Sequence, residues 1–255
     1  MNQAVPHPDW LRPDWDAPQS LAFMTTRAGG VSGGAYASMN VGRAVADDPA
    51  AVAENRARVA RALGATPVFL RQVHGAEVLH LRREHLADEA PSADAAISTN
   101  AELAVAIQVA DCLPVLFAAP GAVGGAHAGW RGLAGGVLEN TVAALRAATG
   151  CRADQVQAWL GACIGAEAFE VGEEVLTACG GDPSYYVYRA NAQGEARWRA
   201  DLAGLARARL AAAGLTRIGG GGWCTFSEAS RFFSFRRERV DGQPSGRMVA
   251  AIRLR

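Results

Sequence analysis

The sequence predicts an α+β fold, a mixed or antiparallel sheet core covered by helices, on three observations. Apolar runs rich in Val, Ile and Phe follow one another directly, helical patterns interrupt them without a strict strand-helix-strand period, and no repeat is visible. At 255 residues the chain can bury a full core as one domain over 1–255, with an extended N-terminal segment over 1–20, or divide into two small ones, a choice that length leaves open.

In chain order, the first strand is expected from Leu21 to Thr26. The clearest helix follows, with Asp48 as N-cap, Pro49 at the first helical position and a stop at Gly64. Further strands are expected at Val68 to Val73, Leu103 to Ala110, Leu113 to Ala118 and Arg247 to Leu254. Helical patterns occupy LAGGVLENTVAALRAATG after Trp130, FEVGEEVLTACGG from Phe169, and WRADLAGLARARLAAAG ending at Gly214. Residues 190–199 are polar and read as a surface excursion, while Gly29 to Tyr36 and Gly219 to Gly222 read as permissive loops.

Composition removes several function classes. Half the residues are hydrophobic and 20% are charged, which argues against disorder. Lys plus Arg equals Asp plus Glu at 25 each, so no net field draws the chain to nucleic acid or an anionic membrane. The N-terminus lacks the apolar run of a signal peptide and no stretch reaches the roughly 18 apolar residues of a membrane span, so a cytoplasmic protein is expected. Five widely spaced cysteines without a CxxC pair read as thiols, ligands or nucleophiles rather than a disulfide framework. Neither a G-x-G-x-x-G turn nor a Walker loop occurs.

Of five histidines, His7 lies in the Pro-rich N-terminal tail, and His80 and His85 flank the charged LRREHLADE segment. His74 and His127 instead end apolar runs in FLRQVHG and AVGGAHAGWRG, at strand exits. Cys112 follows Asp111 at a polar break between apolar runs, where a buried Asp-Cys pair is costly unless something binds the charge. A His, Cys, His set would leave one tetrahedral position for a water whose pKa falls toward ~7. Spacings of 38 and 15 residues match no local zinc signature, so core thiol and hydrogen-bonded imidazoles remain open readings at this point.

The strings TTRAGGVSGGAYASMN, DDP, ENR, RQVHG, ADCLPVLF, AHAGWRGLAGGV, FEVGEEV, WCTF, FFSFRRE and GRMVAAI occur in an order that resembles the YfiH-like family, over roughly residues 8–255. That family has been called polyphenol oxidase or laccase-like, peptidoglycan editing factor and purine nucleoside phosphorylase. The resemblance implies a four-layer sandwich similar to the catalytic domain of cytotoxic necrotizing factor, and favours one domain over two. It also implies zinc ligands at His74, Cys112 and His127, with copper as an alternative ion at the same site.

By chemistry, Arg27 and Arg131 suit a phosphate or carboxylate, and Asn40 a sugar hydroxyl or base edge. Asp111 could orient a ligand or take a proton, and Cys112 could act as nucleophile as well as ligand. Cys224, Glu170 and Arg236 lie in matching strings but are read as structural. Ala162, Met39 and Phe235 depart from the family's usual Pro, Leu and Tyr without touching a proposed ligand.

The resemblance favours phosphorolysis of adenosine, inosine and methylthioadenosine, with adenosine deamination at the same zinc and nucleoside and phosphate as small-molecule partners. A cell-wall precursor amidase is the second expectation. A laccase is the third, but its mononuclear and three-copper sites consume on the order of ten histidines. A structural zinc would need a fourth protein ligand, from Cys224 or Asp111.

Overall fold

Strands that are apolar on both faces need cover on both faces, and the two large sheets obtain it by stacking on one another with helices outside. The computed structural model describes residues 5–86, 90–180 and 182–255. Its strands are β1 (Ser20–Met24), β2 (Thr66–Phe69), β3 (Val78–His80), β4 (Ala95–Ser98), β5 (Leu103–Val109), β6 (Leu113–Ala119), β7 (Ala122–Ala128), β8 (Gln157–Leu160), β9 (Glu170–Val171), β10 (Tyr186–Tyr188), β11 (Trp198–Ala200), β12 (Arg217–Gly220) and β13 (Met248–Leu254). The helices are α1 (Pro49–Leu63), α2 (Trp130–Ala134), α3 (Val137–Thr149), α4 (Glu173–Cys179), α5 (Leu202–Ala212) and α6 (Phe235–Asp241).

One sheet has the order β1-β13-β5-β2 and the other β12-β8-β6-β7-β4-β3; both mix parallel and antiparallel pairs. Side-chain alternation sorts the layers. Val105, Ile107, Ala250 and Ile252 of the first sheet meet Leu116, Val123 and Trp159 of the second. Ala104, Ala106, Val249 and Ala251 face the other way, against Val59 and Leu63 of α1. Val115 and Phe117 point outward to Leu138, Val142 and Leu145 of α3 and Leu205 of α5. The order is therefore helix, sheet, sheet, helix, a mixed α+β arrangement.

Local signals place α1 as expected. Asp48 Oδ1 accepts from Ala50 N, Pro49 opens the helix, and Gly64 closes it at φ 65°. The pattern after Trp130 divides into α2 and α3, because Gly136 at φ 85° turns the chain between them. The second expected strand ends at Phe69, leaving Leu70 to Val73 outside it, with Arg71 in an isolated bridge to Ser92.

The strands β4 (AAIS), not expected from the sequence, and β7 (AVGGAHA), expected only as the run that His127 ends, are poor in β-branched residues and are held by burial instead. A Cβ at Gly125 would lie 2.9 Å from Val105 Cγ1, so the small residue lets the sheets approach. Gly219 and Gly220, read as a loop, end β12, and Trp198 and Arg199 lie in β11 rather than in the polar excursion. In the expected N-terminal extension, Trp10 is buried and Leu11 bridges Met24; residues 1–4 lie outside the described residues, as do 87–89 of the LRREHLADE segment and Gly181. Among the described residues no helix is long and apolar enough to cross a membrane.

Candidate metal centre

Antiparallel pairing joins the two halves of the site. Leu113 opposes Ala128 and Pro114 opposes His127, so Cys112, just before β6, lies beside the end of β7. On the other side of β7, β4 pairs antiparallel and brings Asp94, the residue before it, to the same end. His74 arrives in the turn after β2. The ligand atoms of His74, Cys112 and His127 all lie within 4.8 Å of one another, with Cys112 Sγ 3.8 Å from His74 Nε2.

This donor set fits a tetrahedral ion. Bonds of about 2.0–2.3 Å to two nitrogens and a sulfur require ligand separations of about 3.3–3.7 Å, which small side-chain rotations supply. Gly129 keeps the space clear. A Cβ there would stand 3.0 Å from Cys112 Sγ and 3.1 Å from His74 Cδ2.

Asp94 organises the centre and was not singled out in the sequence. Its side chain is fully buried and accepts from His127 Nδ1 at 2.8 Å, and from the amides of Val73, His74 and Gly75 at 3.0, 2.9 and 2.7 Å. An ionised carboxylate only accepts, so Nδ1 of His127 carries a proton and Nε2 is the nitrogen that faces the site. The three amides hold His74 at φ 63°, a left-handed conformation that costs about 1–2 kcal/mol in a non-glycine residue. Burial pushes the Asp94 carboxyl up, but its bonds from His127 and the Gly75 and Val73 amides leave it lowered. Its sequence signal was an acid directly before the small apolar run AAIS.

Burial alone would raise the Cys112 thiol, yet hydrogen bonds with His127 and His74 outweigh it and bring it down to about 6. His127 is lowered by burial and raised further by Asp94 and Cys112, to about 9. Thiolate and imidazolium therefore coexist between those values. A cation that takes the sulfur and the Nε2 lone pair replaces the imidazolium proton.

Asp111 lies at φ 89°, and both its oxygens are occupied: Thr225 Oγ1 donates to Oδ1 at 2.6 Å, Ser234 Oγ and Arg236 N to Oδ2 at 3.0 and 2.6 Å. It anchors the start of α6 beside Cys112. Arg131 lines the cleft, with its guanidinium 4.2 Å from the Trp130 ring and no ion pair among the described residues. The cleft encloses about 170 Å³ and is otherwise mainly apolar, with Ile164, Phe169, Leu202 and Phe235 in its walls.

Arg27 and Asn40, named in the sequence for phosphate and sugar, are not brought to this cleft. Arg27 donates to the carbonyls of Ala37, Ala35 and Ala229 and borders a different hollow. Asn40 is fully buried, bonded to Gly42, Asp47 and Arg247. Long-range folding has used both as loop clamps. Arg236 lines the cleft but donates to the Ala168 and Glu170 carbonyls, Glu170 pairs with Arg199 at 2.8 Å, and Cys224 accepts from Gly165 N.

Residues 21–255 match the family model described as multi-copper polyphenol oxidoreductase laccase. The chain is 45% identical over 241 residues to a purine nucleoside phosphorylase of Pseudomonas aeruginosa, covering 92% of this chain and 95% of the relative. It is 44% identical over 255 residues to the purine nucleoside phosphorylase YfiH of Escherichia coli, covering 95% and 97%. Among solved structures, protein NMB0706 of Neisseria meningitidis superposes with TM-score 0.85 at 41% identity over 96% of this chain and 99% of that one. YlmD of Geobacillus stearothermophilus gives TM-score 0.85 at 32% identity, covering 96% of each chain. With matches that span nearly the whole fold and all three converging residues, the chain belongs to the YfiH-like, laccase-like family.

Proposed function

We propose that this cleft carries out phosphorolysis of purine nucleosides, with zinc on His74, Cys112 and His127. The observation that carries the reading is the convergence of those three side chains beside an aromatic-lined cleft, which His74 and Cys112 line and whose wall holds the Arg131 guanidinium, in no ion pair among the described residues. A planar base suits the apolar walls, and an anion suits Arg131. The names of the Pseudomonas aeruginosa and Escherichia coli relatives support the same substrate class.

In phosphorolysis a phosphate oxygen takes the place of the base at C1′, the C1′–N9 bond breaks, and the base leaves with a proton. Arg131 would hold the phosphate beside the ribose, and the walls would exclude the water that competes with it. Asp94 keeps the His127 proton on Nδ1 and the ring in place. A zinc ion held by the three ligands supplies a Lewis acid and lowers the pKa of water toward ~7, the chemistry that adenosine deamination to inosine and ammonia requires.

Adenosine, inosine and methylthioadenosine are the expected substrates, giving free base and ribose 1-phosphate or its methylthio analogue. The test is to incubate purified protein with each nucleoside, with and without phosphate, and to separate the products. Phosphate-dependent release of base supports the reading, and absence of base, sugar phosphate and inosine would sink it.

The family description gives copper a second reading at the same three ligands. They form the one His-containing ligand cluster among the described residues, which holds a single ion and not a multi-copper array. A blue absorption band with two or more coppers per chain would favour oxidase chemistry instead.

A further inference from the structure

We propose that Phe235 is the stacking platform for the substrate's base and so a specificity-determining residue of the cleft. The inference rests on the nucleoside reading and adds the residue that recognises the purine ring. The run FFSF places three phenylalanines within four positions. Phe232 and Phe233 are 0% and 1% exposed, while Phe235 is 44% exposed and lines the cleft beside the metal ligands. An aromatic ring left 44% exposed in a concave, apolar wall keeps somewhat less than half of its burial free energy in reserve for a ligand.

The position of that ring is set from the metal centre. Its two neighbours, Ser234 and Arg236, donate from Oγ and from the backbone amide to the same oxygen of Asp111, and Asp111 precedes the ligand Cys112. Phe235 is thus carried between two bonds that share one acceptor, and its backbone cannot drift relative to Cys112 without breaking one of them. Guanidinium carbons of Arg239 and Arg247 lie 5.9 and 5.8 Å from the ring centroid, within cation-π range. They give the ring neighbours outside the core. Phe169, the other phenylalanine of the cleft, has the carbonyl-pinned Arg236 at 5.9 Å. Three cation-flanked aromatic rings in one small cleft, Phe235, Phe169 and Trp130, fit a flat heteroaromatic ring, which stacks, better than a sugar or an aliphatic chain, which does not.

The experiment uses free adenine as the probe, titrated calorimetrically into the full-length protein and its Phe235→Ala, Phe235→Leu and Phe235→Tyr variants, alongside adenosine phosphorolysis. Loss of one stacking partner weakens base binding by about 5- to 150-fold, so Phe235→Ala should weaken adenine and raise KM for adenosine by that factor. The metal content should stay that of the wild type, and kcat should move less than about threefold. Phe235→Tyr should keep adenine affinity, and Phe235→Leu, which restores bulk without a π face, should not. Adenine binding within about twofold of wild type in Phe235→Ala, or full recovery in Phe235→Leu, overturns the platform. Wild-type protein without nucleoside turnover overturns the phosphorolysis reading alone. The adenine titration still decides Phe235 in that case, because no binding to the wild type refutes it and binding lost only without the aromatic ring supports it.

Discussion

Replacing Asp94 with asparagine keeps the shape of the side chain and changes only which of its atoms can accept. Asp94 receives two donors at each oxygen: His74 N and His127 Nδ1 at Oδ1, Val73 N and Gly75 N at Oδ2. Whichever way the amide is turned, two donors face an NH2 group. A buried donor left unsatisfied costs about 1–3 kcal/mol, so the metal-free variant should lose about 2–6 kcal/mol, a large share of the 5–15 kcal/mol typical of a domain. The left-handed His74 loses support at the same time. If the NH2 faces His127, the imidazole must move its proton to Nε2, the atom a metal would need, and such outer partners are worth about 10- to 100-fold in metal affinity. Chemical denaturation of the metal-free protein and zinc competition against a chromophoric chelator read the two effects separately. An unchanged denaturation midpoint together with zinc affinity within about threefold of wild type would refute the assignment of Asp94 as organiser of the centre.

Gly129→Ala tests the space around the ligands, since the backbone there, φ −63° and ψ 160°, accepts alanine while the added Cβ meets Cys112 Sγ at 3.0 Å; zinc affinity by chelator competition should fall about tenfold or more with little change in metal-free melting. Zinc binding near neutral pH should release about one proton, from His127, because Cys112 is already ionised above about 6 and His127 still charged below about 9. Calorimetry in buffers of different ionisation enthalpy measures that proton, whose number should rise as pH falls through about 6 and decline as pH rises through about 9. In the metal-free protein the Cys112 contribution to stability is complete above the ordinary thiol range and fades as pH falls through about 6; that of His127 is complete below the ordinary imidazole range and fades as pH rises through about 9. Melting curves across that range check both signs. Arg131→Ala should raise KM for phosphate by about tenfold or more in the nucleoside assay with metal content unchanged, and an unaltered phosphate dependence would remove Arg131 from that role.

The sequence by itself determined what is written in local chemistry. Asp48, Pro49 and Gly64 specify the ends of α1 through caps and a left-handed stop, and the apolar runs of β5, β6 and β13 are long enough to read as strands buried on both faces. The contiguous family strings singled out His74, Cys112 and His127 as one set, which spacing alone left among several readings and whose ligand atoms the fold brings within 4.8 Å of one another. Tertiary structure decided what depends on partners far along the chain. Asp94 matters because folding sets it against His127, 33 residues away, and against the turn 19 to 21 residues before it. Arg27 and Asn40 carry polar groups suited to a substrate, but folding turns those groups to carbonyls, a carboxylate and amides of distant loops. β4 and β7 are poor in β-branched residues and become strands because alanine and glycine let the sheets approach closely, as at Gly125, where a Cβ would lie 2.9 Å from Val105 Cγ1. Periodicity and caps act between neighbours in sequence and can be read there, whereas a buried carboxylate's donors and a glycine's missing Cβ acquire meaning only from what packs against them.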